Sequence, residues 1–289
     1  MRIAILGCGE VGYCYASALS KATDHTLVLC DHHPSAKASE LAKHLGMTIH
    51  QHPGSWLSEI DLVFLCVAGS VELDVVRSIL PHAAKGALIA DFSTAAPADK
   101  RQASVEATQV EIKFVDVVIM GAIALLGAQT PLLCAGKHSN DVVGVLQKLG
   151  APLQVLEAAT PGDAAALKLL RTIFTKGLEA LTVECLVAAE YHGVREKLYE
   201  VLSDIDKTPF REFVDMLLRT HVIHACRRRH EVVEAANQLS LEGLPVQVLP
   251  GVEALFSTTC MNIEEIPLKN ANPTTEEAMA WLLKTRVGH

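Results

Sequence analysis

The sequence has no long hydrophobic run, no excess of positive charge and few aromatic residues. Half of its 289 residues are hydrophobic, but only 4% are aromatic. No apolar stretch approaches the roughly 20 residues that a membrane-spanning helix needs, so we expect no membrane partner. The formal net charge is −8, which gives no electrostatic basis for binding nucleic acid. We therefore expect a globular protein with a sizeable core and a small-molecule ligand.

The eight cysteines do not show the CxxC spacing of metal sites and redox motifs. Several of them lie in apolar runs, where cysteine behaves as a small buried hydrophobic residue. We therefore predict reduced thiols and a cytoplasmic location. The opening sequence MRIAILGCG indicates a strand and a turn rather than a secretory signal.

Short apolar runs alternate with helical stretches in the first half of the chain. Continuous apolar runs are typical of strands that are buried on both faces of a parallel sheet. The alternation predicts an α/β Rossmann-type domain with a doubly wound parallel sheet over residues 1–160. The predicted strands are Arg2–Leu6, Thr26–Cys30, Leu62–Val67, Ala87–Ala90, Lys113–Val118 and, more weakly, Leu132–Ala135 and Leu153–Leu156. The predicted helices are Val11–Ala22, Ser35–Leu45, Val71–Leu80 and Pro97–Thr108.

The pattern changes after Thr160-Pro161-Gly162, where long stretches with a helical rhythm begin. The last of these stretches opens with NPTTEE, which is typical of a helix N-terminus. We predict an all-α second domain, residues 161–289, that contributes to substrate binding and dimerisation. Its predicted helices are Ala164–Ala189, Phe210–Leu239, Pro250–Thr259 and Thr275–Leu283.

A GxGxxG motif follows the first predicted strand and opens the first predicted helix. In this context the glycines allow a tight turn and a close approach of the backbone to a pyrophosphate. Asp31 ends the second strand, where a carboxylate binds ribose hydroxyls and repels a 2′-phosphate. We therefore predict NAD as cofactor, and NADP stays open because His32 and His33 are adjacent. The predicted cofactor residues are Gly7, Gly9, Glu10, Val11, Gly12, Asp31, Val67 and Ala68.

Three segments that follow apolar strands should meet where the carboxyl ends of parallel strands lie side by side. They are Val67–Ser70, Asp91–Pro97 and Asp116–Gly121. Within the second segment, Ser93 and Thr94 have two possible roles. They orient a substrate or a carboxamide, or they cap the helix that starts at Pro97.

Four blocks of the chain occur in the same order in the β-hydroxyacid dehydrogenase superfamily, which includes 6-phosphogluconate and 3-hydroxyisobutyrate dehydrogenases. They are Gly7–Gly12, D-x-S-T-x-x-P at Asp91–Pro97, Asp116–Ala122, and G-x-x-x-x-x-K at Gly162–Lys168. The chain resembles this superfamily over about its first 190 residues. The second half resembles a phosphogluconate-dehydrogenase-like branch whose C-terminal helical domain has no assigned function.

The resemblance implies roles for matching residues. Lys168 matches the general acid/base, Ser93 matches a substrate-site serine, and the Gly121 backbone faces the substrate. The chain departs from the pattern at Arg171, where the superfamily has Asn, and at Met120-Gly121-Ala122, where it has Ser-Gly-Gly. We predict two catalytic residues, Lys168 and Ser93, and four substrate-binding residues, Arg171, Gly121, Met120 and Thr172.

The helical periodicity around Lys168 places it on a narrow polar stripe of an otherwise apolar helix. We therefore expect this helix to be buried, which would lower the pKa of Lys168 together with the charge of Arg171. Arg171 would hold a substrate carboxylate through a bidentate fork. The alternative is that the stripe is simply solvated.

A second cluster of polar residues occurs in His221–His230 and includes three consecutive arginines. Its spacing matches no closed zinc motif, and we predict no metal site. Two interpretations stay open for Arg227–Arg229. They make structural or dimer contacts, or they bind a substrate anion across a dimer interface.

Together these features predict an NAD(P)-dependent oxidoreductase. It would transfer a hydride between the nicotinamide and a small β-hydroxy acid, or reduce the matching semialdehyde or keto acid. The alternatives are an imine or ketone reductase on the same fold and a non-catalytic NAD(H)-binding regulator. A helical domain this apolar also predicts a homodimer.

Overall fold

The computed structural model describes residues 1–22 and 25–287. Residues 23, 24, 288 and 289 fall within the two predicted domain spans and lie outside the described residues. The chain forms two compact units, Met1–Ile173 and Phe174–His289. A long helix, α7 (Asp163–Tyr191), starts in the first unit and ends in the second. The domain division predicted at residue 160 lies just before this helix and stays a prediction.

The first unit is built on an eight-stranded sheet with the order β3-β2-β1-β4-β5-β6-β7-β8. The first six strands in this order are parallel to one another, which gives the 3-2-1-4-5-6 arrangement of a Rossmann fold. The order reverses at β1, so loops on either side of β1 and β4 diverge and leave a crevice. The strands are β1 Arg2–Leu6, β2 Thr26–Cys30, β3 Ile49–His50, β4 Leu62–Leu65, β5 Leu88–Asp91, β6 Lys113–Ile119, β7 Leu132–Ala135 and β8 Leu153–Val155.

The predicted parallel arrangement is confirmed for the first six strands in this order, and the last two strands run in the opposite direction. β7 pairs antiparallel with β6, and β8 runs parallel to β7. The seven residues of β6 span about 23 Å. The following helix, α5 (Ile123–Leu126), has four residues and advances only about 6 Å. It cannot carry the chain back along the strand, so the chain turns and the next strand returns in the opposite direction.

Helices cover both faces of the sheet, as the continuous apolar strands predict. Ile3 and Ile5 of β1 belong to one hydrophobic core, whereas Ala4 and Leu6 belong to another. Successive side chains of a strand point to opposite faces, so β1 is buried on both sides. The other helices of the first unit are α1 Glu10–Ala22, α2 Ala36–His44, α3 Glu72–Ile79, α4 Pro97–Gln109 and α6 Ser139–Lys148.

The second unit is all-helical, as predicted. Its small core contains Val222, Trp281 and Leu282, which are at least nine-tenths buried. The indole nitrogen of Trp281 donates to the carbonyl oxygen of Ile266 at 2.8 Å. Besides the end of α7, the helices are α8 Arg195–Leu202, α9 Phe210–Leu241, α10 Leu249–Glu265 and α11 Thr275–Val287.

A disulfide joins Cys226 of α9 to Cys260 of α10. The prediction that all cysteines are reduced is therefore wrong for this pair. The two residues are 34 positions apart, and each lies a similar distance from the turn between the two helices. A helical hairpin brings such positions together, although their sequence spacing resembles no motif.

The apolar surface of α7 is largely exposed, although its composition predicts a buried helix. Leu170 is 59% exposed and Ile173 63% in the first unit, and Leu178 is 51% exposed and Val183 59% in the second. The periodicity identifies the apolar positions correctly, but it does not show whether other residues cover them. No helix within the described residues is long and apolar enough for a membrane crossing.

Candidate active site

The GxGxxG motif forms the turn between β1 and α1. Gly7 has a φ of +87°, and a Cβ there would lie 2.6 Å from the carbonyl oxygen of Cys66. A Cβ on Gly12 would lie 1.8 Å from the carbonyl oxygen of Gly7. Neither position accepts a side chain. Gly9 is different, because a Cβ there would meet no atom within 4 Å, so its backbone faces open space that a ligand can enter.

This open space is part of a pocket of about 850 Å³ at the carboxyl ends of β1, β2 and β4. Five predicted cofactor residues line the pocket: Gly7, Gly9, Asp31, Val67 and Ala68. The other three, Glu10, Val11 and Gly12, form the first turn of α1. The N-terminus of a helix attracts anions through its free N–H groups and its dipole. A glycine cradle, a helix N-terminus and a pocket at the reversal of strand order fit a dinucleotide.

Asp31 lies in this pocket with both carboxylate oxygens hydrogen-bonded. Oδ1 accepts from the backbone N–H of His33 at 2.7 Å, and Oδ2 accepts from the backbone N–H of Cys8. Each carboxylate oxygen has two lone pairs, so acceptor capacity remains for ribose hydroxyls. The ring of His32 lies 4.3 Å from that of His33 and 4.9 Å from that of His52. The pocket therefore places one carboxylate and three imidazole rings side by side.

The segment Asp91–Pro97 holds Ser93 in a fixed position. Ser93 is 5% exposed, and its backbone N–H donates to Asp91 Oδ1 at 2.8 Å. Its hydroxyl lies 3.1 Å from Asp91 Oδ2 and accepts from the Ala95 N–H at 3.2 Å. The N-cap of α4 is Ala96, which provides no side-chain bond. Neither Ser93 nor Thr94 is therefore the N-cap of this helix, whereas contact between Ser93 and a substrate stays a prediction.

A buried group of charges lies next to this segment, and the sequence pattern does not predict it. Lys100 of α4, Asp91 and Asp116 are all 0% exposed. Lys100 Nζ lies 3.0 Å from Asp91 Oδ2 and 2.7 Å from Asp116 Oδ1. The sequence around Lys100, PADKRQ, has four polar or charged residues in a row and predicts an exposed lysine. The only available signal was that Asp91 and Asp116 interrupt or end apolar strands.

Asp116 connects this buried group to the helix that carries Lys168. Its Oδ2 accepts from the backbone N–H groups of Gly162 and Ala165, both at 3.0 Å. These N–H groups belong to the start of α7, where no intrahelical acceptor exists. Lys168 follows one turn later on the same helix.

Lys168 is half-buried, and its pKa is lowered. Burial is the main cause, the charge of Lys100 adds to it, and the charge of Asp116 opposes it. The predicted lowering of the pKa by burial is confirmed. The neighbouring cation that contributes is Lys100 rather than Arg171.

Arg171 and Met120 meet in a different pocket of about 560 Å³ in the same unit. Its other walls are mainly apolar, with Pro131, Leu153 and Leu167 among them. The structure thus brings two of the predicted substrate residues together in a pocket that Lys168 does not line. The carboxylate-binding role of Arg171 stays a prediction.

The remaining predicted substrate residues have local contacts. The hydroxyl of Thr172 donates to the carbonyl oxygen of Lys168 at 2.9 Å, within the helix. Gly121 follows β6, and a Cβ there would lie 3.1 Å from Thr130 Cγ2. A larger residue at Gly121 would therefore press on its neighbour, which explains a small residue at this point without reference to a substrate.

The histidine and arginine cluster of α9 makes contacts within the second unit. His221 Nε2 lies 2.8 Å from the hydroxyl of buried Thr259, which also accepts from Arg286 at 2.9 Å. Arg228 donates to Thr220 at 3.0 Å. Burial, together with the charges of Arg286 and Arg228, lowers the pKa of His221. The other two arginines form ion pairs, Arg227 with Glu231 and Arg229 with Glu253. These contacts favour the structural interpretation of the cluster.

Comparison with known families agrees with the geometry of the first unit. Residues 2–159 match the family described as the NAD binding domain of 6-phosphogluconate dehydrogenase. The chain belongs to this family. Residues 189–259 match a domain family of unknown function. The expected fold, the resemblance and the helical C-terminal domain are therefore confirmed, and a nicotinamide cofactor is supported.

Individual relatives extend the comparison to most of the chain. An uncharacterised 28.5 kDa protein from Methanothermus fervidus is 30% identical over 81% of this chain and 89% of its own length. A conserved protein of unknown function, solved and found similar to 3-hydroxyacid dehydrogenases, is 28% identical with a TM-score of 0.62, covering 90% of this chain and 96% of its own. An imine reductase variant from Myxococcus stipitatus, solved with NAD+, is 16% identical with a TM-score of 0.75, covering 97% of this chain and 99% of its own. At this identity the imine reductase shows the fold alone.

Proposed function

We propose that this member of the 6-phosphogluconate dehydrogenase NAD-binding family is a nicotinamide-dependent oxidoreductase that acts on a small β-hydroxy acid or on the matching carbonyl acid. The observation that carries the proposal is a half-buried lysine with a lowered pKa in the unit that holds the glycine cradle. A general acid/base works best when its pKa lies near the working pH. Burial lowers the pKa of Lys168 from the usual value of 10.5, toward the neutral range.

The proposed roles are supported by the position of Lys168 in the unit that holds the glycine cradle. The bound cofactor would take or give the hydride at the nicotinamide. Lys168 Nζ, when neutral, takes the proton of the substrate hydroxyl as the C–H bond breaks. In the reverse reaction the ammonium returns that proton to the carbonyl oxygen. Ser93 orients the oxygen, and Arg171 pairs with the substrate carboxylate.

For the cofactor, we propose NAD before NADP. The carboxylate of Asp31 accepts two backbone N–H groups and lies in the pocket beside the glycine cradle. A carboxylate at this position repels a 2′-phosphate. The imidazoles of His32, His33 and His52 work in the opposite direction, so we expect NADP to be used more weakly rather than not at all.

The imine reductase alternative uses the same unit and needs no anion-binding residue. The lysine favours alcohol chemistry, because it can exchange a proton with a hydroxyl. Replacement of Arg171 by glutamine separates the two functions. An acid substrate predicts a rise in KM of at least about tenfold, because a charged hydrogen bond is lost. A neutral imine or ketone predicts an unchanged KM.

We also propose that a second copy of the chain covers the exposed apolar surface of α7. Contiguous apolar patches beyond a few hundred Å² are rare on soluble monomers. Sedimentation should show a dimer, and Leu178→Glu should disrupt it. Val105→Glu is the matched control, since Val105 is similarly exposed on α4. A monomeric wild-type protein at micromolar concentration would contradict the proposal.

The function is tested by a turnover screen that follows the absorbance of the reduced cofactor. Both cofactors are run against hydroxy acids, sugar acids, semialdehydes and cyclic imines. Turnover with an acid supports the proposal, and turnover with imines alone supports the reductase. Cofactor binding without turnover on any member of the panel supports the non-catalytic regulator.

A further inference from the structure

The buried group of Lys100, Asp91 and Asp116 lowers the stability of the fold unless its charges compensate one another, and the general acid/base role of Lys168 alone does not explain it. Moving an ammonium and two carboxylates out of water costs several kcal/mol per ion, and apolar replacements are often as stable. Stability alone therefore does not explain why these three charged side chains are buried together, and the segments that they join are relevant to their role. The side-chain ammonium of Lys100 binds Asp91, which holds Ser93, and Asp116, which binds the start of the helix that carries Lys168.

On one side, Lys100 holds the segment that carries Ser93. Its Nζ contacts Asp91 twice, the carboxylate at 3.0 Å and the carbonyl oxygen at 3.2 Å. The same carboxylate binds the backbone N–H and the hydroxyl of Ser93. The position of the Ser93 side chain thus depends on where Lys100 holds Asp91.

On the other side, Lys100 holds the start of α7. Its Nζ lies 2.7 Å from Asp116 Oδ1, and the other oxygen of Asp116 binds the N–H groups of Gly162 and Ala165. Gly162 has a φ of +95°, and a Cβ there would lie 2.5 Å from the carbonyl oxygen of Pro97, in the first turn of α4. The helix that carries Lys100 and the helix that carries Lys168 therefore touch where Asp116 binds.

The charges of this group support the same arrangement. Burial alone would lower the pKa of Lys100, but Asp91 and Asp116 outweigh it and the net shift is upward. Lys100 therefore keeps its proton and presents a permanent positive charge. That charge contributes to the lowered pKa of Lys168, and Asp116 opposes it.

We propose that Lys100 is a positioning residue that sets the place of Ser93 and the electrostatic environment of Lys168 by joining Asp91 to Asp116. The proposal deepens the proposed function, since it rests on Lys168 as the general acid/base and on Ser93 as the residue that orients the substrate oxygen. Lys100 itself does not touch the substrate. It acts through two carboxylates. Asp91 binds Ser93, and Asp116 binds the start of the helix that carries Lys168.

The test compares Lys100→Met with wild type in two independent measurements. The first is the pH dependence of acetylation of Lys168 by acetic anhydride, followed by mass spectrometry, which needs no substrate. Loss of the nearby cation should raise the midpoint for Lys168 by roughly half a pH unit or more. The second is steady-state turnover, where kcat should fall at least about tenfold because reacting groups are misplaced. Lys85→Met, at an exposed lysine, should change neither.

An unchanged midpoint together with kcat within about twofold of wild type overturns the proposal. A merely structural lysine would lower the melting temperature without moving the midpoint of Lys168. A shifted midpoint in a protein with no turnover on the panel supports the positioning role and places the failure in the proposed function instead.

Lys100→Met leaves two buried carboxylates and is at risk of not folding. The double variant Lys100→Met with Asp116→Asn removes one charge of each sign and keeps the local net charge. The tether between Ser93 and α7 is still broken in this variant, so kcat should fall by a similar factor. Wild-type kcat in the folded double variant would overturn the proposal.

Discussion

The pH dependence of stability should be set in part by Glu72, at the start of α3. Glu72 is 0% exposed, and neither carboxylate oxygen has a hydrogen-bond partner. Burial and then the charge of Asp91 raise its pKa from 4.5 to about 8, with Asp99 and Asp116 contributing and Lys100 opposing. At neutral pH the folded protein therefore holds a proton here that the unfolded chain has released.

The sign of the effect follows from this difference. A group whose pKa is higher in the folded state contributes stability that is complete below its unfolded pKa and is lost as pH rises through its folded pKa. The window for Glu72 runs from about pH 4.5 to about pH 8. The loss should be roughly 1 kcal/mol per pH unit across it, a few kcal/mol in total.

Glu72→Gln removes this titration and keeps the shape of the side chain. The assay is urea unfolding followed by circular dichroism at pH 5, 6, 7 and 8. The free energy of unfolding of the variant relative to wild type should increase steadily from pH 5 to pH 8. Glu40→Gln, at an exposed position of α2, should show a difference that does not depend on pH. A constant difference for Glu72→Gln as well would refute the reasoning.

Four further predictions concern the cofactor pocket and the second unit. Gly12→Ala should abolish cofactor binding, measured by quenching of protein fluorescence, because its Cβ would lie 1.8 Å from the Gly7 carbonyl oxygen. Gly9→Ala should keep the wild-type melting temperature, because its Cβ meets no protein atom, and should weaken cofactor binding, because the Cβ enters the space of the ligand. Wild-type cofactor affinity in this variant would show that the glycine motif does not hold the cofactor. Asp31→Ser should shift the ratio of kcat/KM toward NADPH by at least about tenfold, and an unchanged ratio would assign selectivity to other residues. Cys226→Ser should lower the unfolding free energy by about 3–4 kcal/mol, as expected for a loop of 34 residues. Equal stability of the variant and wild type in urea would show that the disulfide contributes nothing.

Much of the first unit was predictable because its signals are local. Apolar runs locate β1, β2 and β7 with the observed bounds, and the GxGxxG motif locates the turn before α1. Pairing direction is not local, since it depends on whether the connection can cross the sheet. The sequence shows a strand at Leu132–Ala135, but only the shortness of α5 explains why it runs antiparallel.

The features that were missed depend on contacts between distant segments. Lys100 lies in a polar stretch, and its burial follows from Asp91 and Asp116, which are nine and sixteen positions away. The Cys226–Cys260 disulfide depends on the packing of two helices. The exposure of α7 depends on what packs against it in three dimensions, and one sequence shows only that the helix is apolar.

The central claim is that Lys168 is the general acid/base. The most direct measurement is the turnover of Lys168→Met on the acid substrate found in the screen, with cofactor affinity measured on the same preparation. Because general acid–base catalysis contributes about 10²–10⁴-fold, we expect kcat to fall by at least about 100-fold while cofactor affinity stays within about twofold. Lys148→Met, at an exposed lysine of α6, should retain full turnover. If Lys168→Met keeps turnover within a few-fold of wild type, another residue exchanges the proton and the account of this site is wrong.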